Sequence, residues 1–290
     1  STRKESSAAS DVYKRQDIDI AFFSAGSSVS RVYAPIAAQA GAVIIDNTSE
    51  FRYVDDIPLV VPEVNPLDIE QHVKTNIIAN PNCSTIQMLV ALKPIHERYK
   101  ILDINVCTYQ AVSGSGKKGV DELLEQSYSY LNQQDIKASV YPKQIAFNVI
   151  PFVDSFCENG YTKEEMKMVW ETQKILSKDI TVNATAVRVP VLIGHSESIT
   201  IETESPIDIK DVISDFKDSE GIELIDNPDN DEYPTAFING HGTDKVYVGR
   251  VRKSLNSDNI LNIWVVADNV RKGAALNSVQ IAEELTKGAK

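Results

Sequence analysis

The first third of the chain alternates short apolar runs with segments of helical length. I-D-I-A-F-F-S reads as a buried strand, and the segment that follows it has helical spacing and ends at Gly41. Strands joined by helix-length crossovers form parallel, doubly wound sheets. The predicted strands are residues 18–24, 42–46, 59–61 and 77–79, with a helix over residues 29–40. This part of the chain is therefore predicted to be an α/β domain.

The rest of the chain has longer apolar alternations and fewer helices. Thr162 with Glu165 three residues later is a capping-box signature that opens a helix to about Leu176. Further helices are predicted over residues 84–95, 119–131 and 272–285. Strands are predicted over residues 101–112, 181–190, 198–204, 245–252 and 260–267. This spacing is typical of an antiparallel sheet, so the second domain is predicted to be α+β.

Composition excludes several classes of partner. The 290 residues include 41 acidic and 29 basic side chains, a net charge of −12, which disfavours a nucleic-acid ligand. No apolar run approaches the roughly 18 residues that span a bilayer. The three cysteines form no C-x-x-C pair, and the histidines have no companions at metal-ligand spacing, so neither a metal site nor a disulfide framework is predicted. A reducing, cytoplasmic setting fits this cysteine usage.

Two residues are candidates for nucleophilic chemistry. Cys83, in N-P-N-C-S-T, follows a short strand and begins a helix, whose N-terminus stabilises a thiolate. His195, in L-I-G-H-S-E, follows a glycine at a bend and can transfer protons near neutral pH. On their own, either could equally be a packed core residue.

Five other residues are candidates for binding roles. Gln110 lies at a strand end before the small-residue loop V-S-G-S-G. Arg188 lies among apolar neighbours and needs an anion, either an internal carboxylate such as Glu197 or a substrate. Glu164 and Lys167 share a helix face, where spacing alone favours a solvated ion pair. Arg52, in S-E-F-R-Y, has by itself the character of a surface residue.

Taken together, these motifs resemble those of aspartate-semialdehyde dehydrogenases. N-P-N-C-S-T, T-Y-Q-A-V-S-G-S-G, E-E-M-K, R-V-P-V-L-I-G-H-S-E and D-N-V-R-K-G-A-A-L-N-S-V-Q-I-A-E-E-L occur in the order found in that family. S-A-G-S-S and V-G-R-V-R match as well. The resemblance runs from about Ile18 to the C-terminus. It implies a Rossmann-like cofactor domain beside a catalytic and dimerisation domain, and a homodimer.

The resemblance also implies a reaction and a role for each candidate. The reaction is the NADP- and phosphate-dependent interconversion of L-aspartate 4-semialdehyde and L-4-aspartyl phosphate, a step of lysine, threonine and methionine biosynthesis. Cys83 would form the acyl-thioester, His195 would be the base, and Gln110 would orient the substrate. The substrate carboxylate would be held by Arg188 and its ammonium group by Glu164. The implied phosphate-binding residues are Arg52 and Lys167, and the implied cofactor-binding residues are Ser24, Ala25, Gly26, Ser113, Gly114 and Asn269.

The beginning of the chain departs from this family. Residues 1–16 are polar and aperiodic, and are predicted to be a non-native or disordered leader. No glycine-rich turn precedes Ile18, so the first βα unit of the cofactor domain is predicted to be missing and NADP binding to be poor. The predicted domains are residues 17–82 with 268–290 for NADP binding, and 83–267 for catalysis and dimerisation.

Two other functions remain open from sequence. An N-acetyl-γ-glutamyl-phosphate reductase would have a similar Cys/His pair, but its acetylated substrate gives Glu164 no amine to bind. A cysteine hydrolase using Cys83 and His195 would cleave esters without phosphate or cofactor. A catalytically inactive fragment is the third alternative.

Overall fold

The computed structural model describes residues 18–287, which form two compact units. Residues up to Pro81, together with those from Asn277 onward, form the first unit, and Asn82–Leu276 form the second. The predicted leader, residues 1–16, lies outside the described residues. Residues 268–276, which the sequence analysis grouped with the cofactor domain, belong to the second unit. They do so because Gly273 packs directly against Cys83, at the start of the first helix of that unit.

The first unit contains a three-stranded parallel sheet, as predicted. Its order is β1 (Ile20–Phe23), β2 (Val43–Asp46) and β3 (Ile77–Ala79), with α1 (Ser27–Gln39) crossing between the first two strands. The predicted strand at residues 59–61 is reduced to a single bridge from Leu59 to Ala79. A 3-10 helix, Pro66–Lys74, precedes β3.

The core of this unit is aliphatic. Ile45 and Ile78, on neighbouring strands, pack with Val60, Ile69 and Ile281. Ile281 belongs to the C-terminal helix (Leu276–Lys287), so the end of the chain returns to the first unit. Burial of such side chains contributes about 1.5–3 kcal/mol each, which makes this helix part of the sheet's support.

The second unit contains a six-stranded sheet. Its spatial order is β5 (Thr181–Arg188), β4 (Ile101–Gln110), β6 (His195–Thr203), β9 (Ile260–Ala267), β8 (Val246–Lys253) and β7 (Ile222–Leu224). The predicted antiparallel arrangement is only partly right, because β4 pairs with β5 and β7 with β8 in parallel. The connection from β4 to β5 contains two of the predicted helices, and that from β7 to β8 contains short 3-10 and π-helical turns. Periodicity identifies strands but does not show which of them pair in parallel.

The helices of this unit are longer or more numerous than predicted. They are α2 (Cys83–Tyr99), α3 (Lys117–Leu131), α4 (Lys163–Ile175) and α5 (Ile209–Asp218); the C-terminal helix is α6. Pro94 lies inside α2 without ending it, and neither α5 nor β7 was predicted. The capping box of Thr162 and Glu165 forms as predicted. Its glutamate also accepts the Ala186 amide at 2.9 Å, which fixes α4 against β5.

Neither a membrane-spanning helix nor a metal-binding cluster is found among the described residues. Between residues 18 and 287, no helix has the length and apolarity to cross a membrane. No cluster of three or more metal-ligating side chains occurs within the same range.

Candidate active site

Cys83 is the first residue of α2. Its neighbour Asn82 caps the helix by accepting the amides of Ser84 and Thr85 at 3.0 and 3.4 Å. The side chain of Cys83 is partly exposed and is not in a disulfide. A helix N-terminus favours negative charge, so this position favours a nucleophilic thiolate.

His195 is the first residue of β6 rather than part of the predicted bend, and its side chain is fully buried. Its Nδ1 accepts a hydrogen bond from the Ala111 amide at 3.0 Å. Burial lowers the pKa of His195, the positive charge of Arg188 lowers it further, and Glu164 offsets part of this, giving a pKa of about 3. The imidazole is therefore neutral at pH 7.

Glu164 is at the centre of a buried hydrogen-bond network. Its Oε1 accepts from Asn82 Nδ2 at 2.9 Å and from Gln110 Nε2 at 3.2 Å. Gln110 also donates to Ser84 at 2.9 Å, next to the nucleophile. Burial by itself raises the pKa of Glu164. The charge and hydrogen bond of Lys167, together with the hydrogen bonds from Asn82 and Gln110, outweigh burial and lower the pKa to about 2.

Lys167 lies between two carboxylates. Its Nζ donates to Glu164 at 2.9 Å and to Asp154 at 2.8 Å. The Glu164–Lys167 pair is buried, with side-chain exposures of 7% and 13%, so the solvated pair favoured by spacing alone is not what the fold forms. Burial lowers the pKa of Lys167, yet Glu164 and Asp154 together raise it, which keeps the ammonium charged.

Arg188 is buried at the end of β5 without an ion-pair partner. Its Nη1 donates to the Ala111 carbonyl at 2.7 Å, and its guanidinium stacks over Tyr141 at 5.9 Å. Within residues 18–287 no carboxylate lies in ion-pair range of it. Glu197, the internal partner considered from sequence, is instead fully buried near Gln87, and burial raises its pKa well above the usual value, only partly offset by the hydrogen bond from Gln87.

Three of the residues expected to bind cofactor lie beside this cluster in the second unit. Asn269 Oδ1 accepts from Ser113 Oγ at 3.0 Å and from the Gly194 amide at 2.9 Å. At Gly114 a Cβ would lie 2.9 Å from Nη1 of Arg188, so a larger residue there would displace the guanidinium group.

The remaining predicted residues belong to the first unit. Arg52 is 7% exposed, contrary to the surface position expected from its motif, and donates to the Asn47 carbonyl at 3.3 Å. Ser24, Ala25 and Gly26 lie between β1 and α1. Ligands of doubly wound sheets bind at this end of a strand.

Comparison with known proteins identifies the family. Residues 92–272 match the family described as "Semialdehyde dehydrogenase, dimerisation domain", and residues 3–72 match "Semialdehyde dehydrogenase, NAD binding domain". An aspartate-semialdehyde dehydrogenase of Shewanella sp. strain DB6705 is 59% identical over 278 residues, covering 96% of this chain and 82% of that protein. The chain belongs to the aspartate-semialdehyde dehydrogenase family. The homologue from Bacillus subtilis is 48% identical over 281 residues, 94% of this chain and 80% of its own length.

Solved structures of aspartate-semialdehyde dehydrogenases share the fold. A Vibrio cholerae enzyme, described as complexed with ASA, is 56% identical with a TM-score of 0.91, covering 94% of this chain and 80% of that one. A Candida albicans enzyme, described as bound to NADP, is 25% identical with a TM-score of 0.70, covering 92% and 77%. The fold class expected from sequence is confirmed, with a mixed rather than antiparallel second sheet.

Sequence reasoning missed two residues of this site. Asn82 caps α2 and also donates a hydrogen bond to Glu164. Its position in N-P-N-C before a helix could have predicted the cap, but not the contact with Glu164. Asp154, the second partner of Lys167, lies in an irregular segment with a φ of 71°. No periodicity or motif marks that position.

Proposed function

We propose that this chain is a phosphorylating, NAD(P)-dependent aldehyde oxidoreductase that interconverts L-aspartate 4-semialdehyde and L-4-aspartyl phosphate. The choice of substrate rests on one observation: Arg188 is buried and has no carboxylate in ion-pair range among the described residues. A buried guanidinium requires an anion, and its planar fork suits a carboxylate. In the same unit, the buried carboxylate of Glu164 is available for the substrate ammonium group.

Cys83 is proposed as the nucleophile, with Gln110 and His195 as the other catalytic groups. The sulfur attacks the aldehyde carbon, and a thioester is formed after oxidation of the adduct. Gln110, held by Ser84 and Glu164, lies next to the nucleophile and is placed to orient the reacting carbon. Phosphate then attacks the thioester carbon, the C–S bond breaks, and the thiolate leaves.

Lys167 and Arg52 are proposed as the phosphate-binding residues. Lys167 is buried beside Glu164 and stays charged, so it supplies a cation in a low-dielectric site. The overall charge of −12 opposes binding of an anion, so such local cations are required.

The residues present also fit a dinucleotide cofactor, which we propose to be NADP. Gly26, with a φ of 101°, precedes α1, and no side chain among the described residues caps that helix, so its first amides suit a phosphate. Ser24, Ala25 and Gly26 would hold the cofactor in the first unit, and Ser113, Gly114 and Asn269 in the second. When bound, the nicotinamide supplies the hydride acceptor.

We propose a homodimer formed through the six-stranded sheet. An apolar groove of about 600 Å³ on this unit is lined by Tyr109, Trp264 and the half-exposed Phe237. Apolar surface of this kind is typical of interaction sites, and the matched family description names dimerisation. Phe237→Asp should shift the mass measured by light scattering from dimer to monomer. Leu255→Asp, fully exposed outside the groove, should not, and an unchanged mass for both would contradict this face.

The decisive experiment compares substrates and cofactors on the purified chain. We expect aldehyde-dependent reduction of NADP, supplied at high concentration because the sequence predicts poor NADP binding, with L-aspartate 4-semialdehyde only when phosphate is present, and none with N-acetyl-glutamate semialdehyde. Cys83→Ser should abolish turnover, while Cys107→Ser and Cys157→Ser should not. Turnover of the acetylated aldehyde, or ester cleavage without phosphate, would favour the reductase or the hydrolase instead. We also propose a cytoplasmic location, with which the absence of disulfides at Cys83, Cys107 and Cys157 is compatible.

A further inference from the structure

Hydrogen bonding restrains the guanidinium group of Arg188 at one nitrogen. Nη1 donates to the Ala111 carbonyl at 2.7 Å, and within residues 18–287 no other guanidinium nitrogen has a hydrogen-bond partner. The group carries five N–H donors in a rigid, planar fork, which binds a carboxylate through two parallel bonds when its plane is correctly oriented. The orientation of this plane therefore depends on a contact other than the hydrogen bond.

The aromatic ring of Tyr141 supplies such a contact. The Cζ atom of Arg188 lies 5.9 Å from the centre of the ring, within the range of a cation–π interaction. Both residues are buried, so solvent screens this attraction little. The Tyr141 hydroxyl donates to the Val112 carbonyl at 3.3 Å, which fixes that end of the ring. The ring is thereby held against the guanidinium group.

Tyr141 lies in a long loop, residues 132–149, that contains no helix or strand. Such loops are usually mobile, yet this one is bound to α3 by two buried side chains that lie four residues apart on one helix face. The first of them, Gln126, donates to the Lys137 carbonyl at 2.9 Å and accepts the Ile145 amide at 2.9 Å. It therefore holds the loop on both sides of Tyr141.

The second of these side chains, Glu122, binds the loop at Tyr141 itself. Its carboxylate accepts the amides of Ser139, Val140 and Tyr141, and also the Ser139 hydroxyl at 2.7 Å. Burial raises the pKa of Glu122, but the hydrogen bonds from Val140, Ser139 and Tyr141 outweigh burial and lower it. The carboxylate is therefore charged at pH 7, and hydrogen bonds to a charged acceptor are roughly twice as strong as neutral ones.

The residue that follows this loop pairs with the backbone of Arg188. The Ile150 amide donates to the Arg188 carbonyl at 2.9 Å, and the Arg188 amide donates to the Ile150 carbonyl at 2.8 Å. One stretch of chain, which starts at α3 and ends beside β5, thus contacts both the backbone and the guanidinium group of Arg188. The loop is built around this one arginine.

We infer that Tyr141 is a positioning residue that orients the guanidinium group of Arg188 for the substrate carboxylate, and that Glu122 positions Tyr141. This inference rests on the proposed function, because it assigns the substrate carboxylate to Arg188. Its consequence is selective. Tyr141 contributes to the binding of aldehydes that carry this carboxylate, and it contributes neither to phosphate binding nor to the reactivity of Cys83.

Two substitutions separate the ring of Tyr141 from its hydroxyl group. Tyr141→Phe keeps a ring against the guanidinium group, whereas Tyr141→Leu removes it. A cation–π contact in a desolvated site changes an equilibrium constant by about tenfold, so Tyr141→Leu should raise the KM for L-aspartate 4-semialdehyde about tenfold. Tyr141→Phe should keep that KM within about threefold of the parent, and both variants should keep kcat and the KM for phosphate within the same limit.

An aldehyde without the carboxylate gives the sharper comparison. 3-Aminopropanal has the aldehyde and the ammonium group of L-aspartate 4-semialdehyde but lacks its carboxylate. We expect Tyr141→Leu to leave kcat/KM for 3-aminopropanal unchanged, because the orientation of Arg188 does not affect that substrate. An equal loss for both aldehydes, or a loss in Tyr141→Phe as large as in Tyr141→Leu, would show a merely structural role and overturn the inference.

Glu122→Gln tests the residue that holds the loop. A neutral amide accepts weaker hydrogen bonds than a carboxylate, so hydrogen exchange at the amides of residues 139–141 should become faster. The KM for L-aspartate 4-semialdehyde should rise about threefold, and the double variant with Tyr141→Leu should have the KM of Tyr141→Leu alone. Multiplied effects in the double variant would overturn the role of Glu122, because they would show that it does not act through Tyr141.

Tyr128→Leu, at an exposed position on α3, is the matched control and should change none of these constants. Thermal melting should show that each variant is folded. Calorimetric titration with L-aspartate, which has the ammonium group and carboxylate of the substrate, keeps the two proposals distinguishable. If the parent chain shows no phosphate-dependent turnover, the proposed function fails, while about tenfold weaker L-aspartate binding by Tyr141→Leu would still support the inference. Equal binding by Tyr141→Leu and the parent, or no binding by the parent, would overturn it.

Discussion

The carboxylate of Glu164 offers the most quantitative test of the site's electrostatics. It is 5% exposed, and its pKa falls from 4.5 to about 2, because Lys167, Asn82 and Gln110 outweigh the effect of burial. Lowering a pKa from 4.5 to about 2 corresponds to about 3 kcal/mol of stability. We therefore expect Glu164→Gln to lower the free energy of unfolding at pH 7 by about 3 kcal/mol.

The pH dependence of this difference follows from the sign of the shift. Because the folded-state pKa of Glu164 is depressed, its contribution is fully present above the unfolded pKa near 4.5. It is lost as the pH falls through the folded pKa near 2. The gap between parent and variant should narrow from about 3 kcal/mol at pH 7 to about half of that at pH 3.

Urea unfolding at pH 7, 5, 4 and 3 measures this gap. The two tryptophans, Trp170 in α4 and Trp264 in β9, both lie in the second unit, so their fluorescence reports on the unit that contains Glu164. Glu158→Gln, at an exposed position nearby, is the matched control and should change nothing. A difference below about 0.5 kcal/mol at pH 7, or one that is constant down to pH 3, would refute the reasoning.

Two further predictions concern other charges in this unit. Asp154→Asn should lower the KM for phosphate about two- to fivefold, because the half-exposed Asp154 competes for Lys167 and such a pair contributes about 0.5–1 kcal/mol. Steady-state kinetics should show the KM for the aldehyde unchanged, and a weaker affinity for phosphate would count against a phosphate role for Lys167. Glu197→Gln should raise the melting temperature at pH 8.5 more than at pH 5. Burial raises the folded-state pKa of Glu197, so the stability of the parent protein is highest at low pH, where this carboxyl is protonated, and falls as the pH rises. Equal melting temperatures for variant and parent at pH 8.5 would contradict a raised pKa for the buried Glu197 carboxyl.

Much of the fold could be predicted because local patterns and tertiary environment agree. The strand at Ile260–Ala267 is found where its alternation placed it, and Thr162 with Glu165 forms the capping box that its spacing indicates. The three parallel strands of the first unit were recognised from nearly continuous apolar runs, which are typical of strands covered on both faces; β2 and β3 are buried in this way, whereas Phe22 of β1 is exposed. The extent of α2 beyond Pro94 was not predicted, because proline is a usual helix stop.

The identity of the candidate site residues was also present in the sequence. Cys83, Gln110, Glu164, Lys167, Arg188 and His195 all lie in the second unit. They were found because their motifs occur in a family order, whereas each alone had an ordinary structural explanation. Asp154 carried no such signal, since an irregular loop residue becomes a partner of Lys167 only after the chain has folded.

The sequence by itself determined the class of fold, the nucleophile and the set of polar residues that accompany it. Only the tertiary structure decided their states, because protonation depends on burial and on partners that are distant in the chain. Glu164 and Lys167 form a buried pair rather than a solvated one, since α4 packs into the unit's interior. Burial and the positive charge of Arg188 lower the pKa of His195 to about 3, and its Nδ1 accepts the Ala111 amide, 84 residues away in the chain.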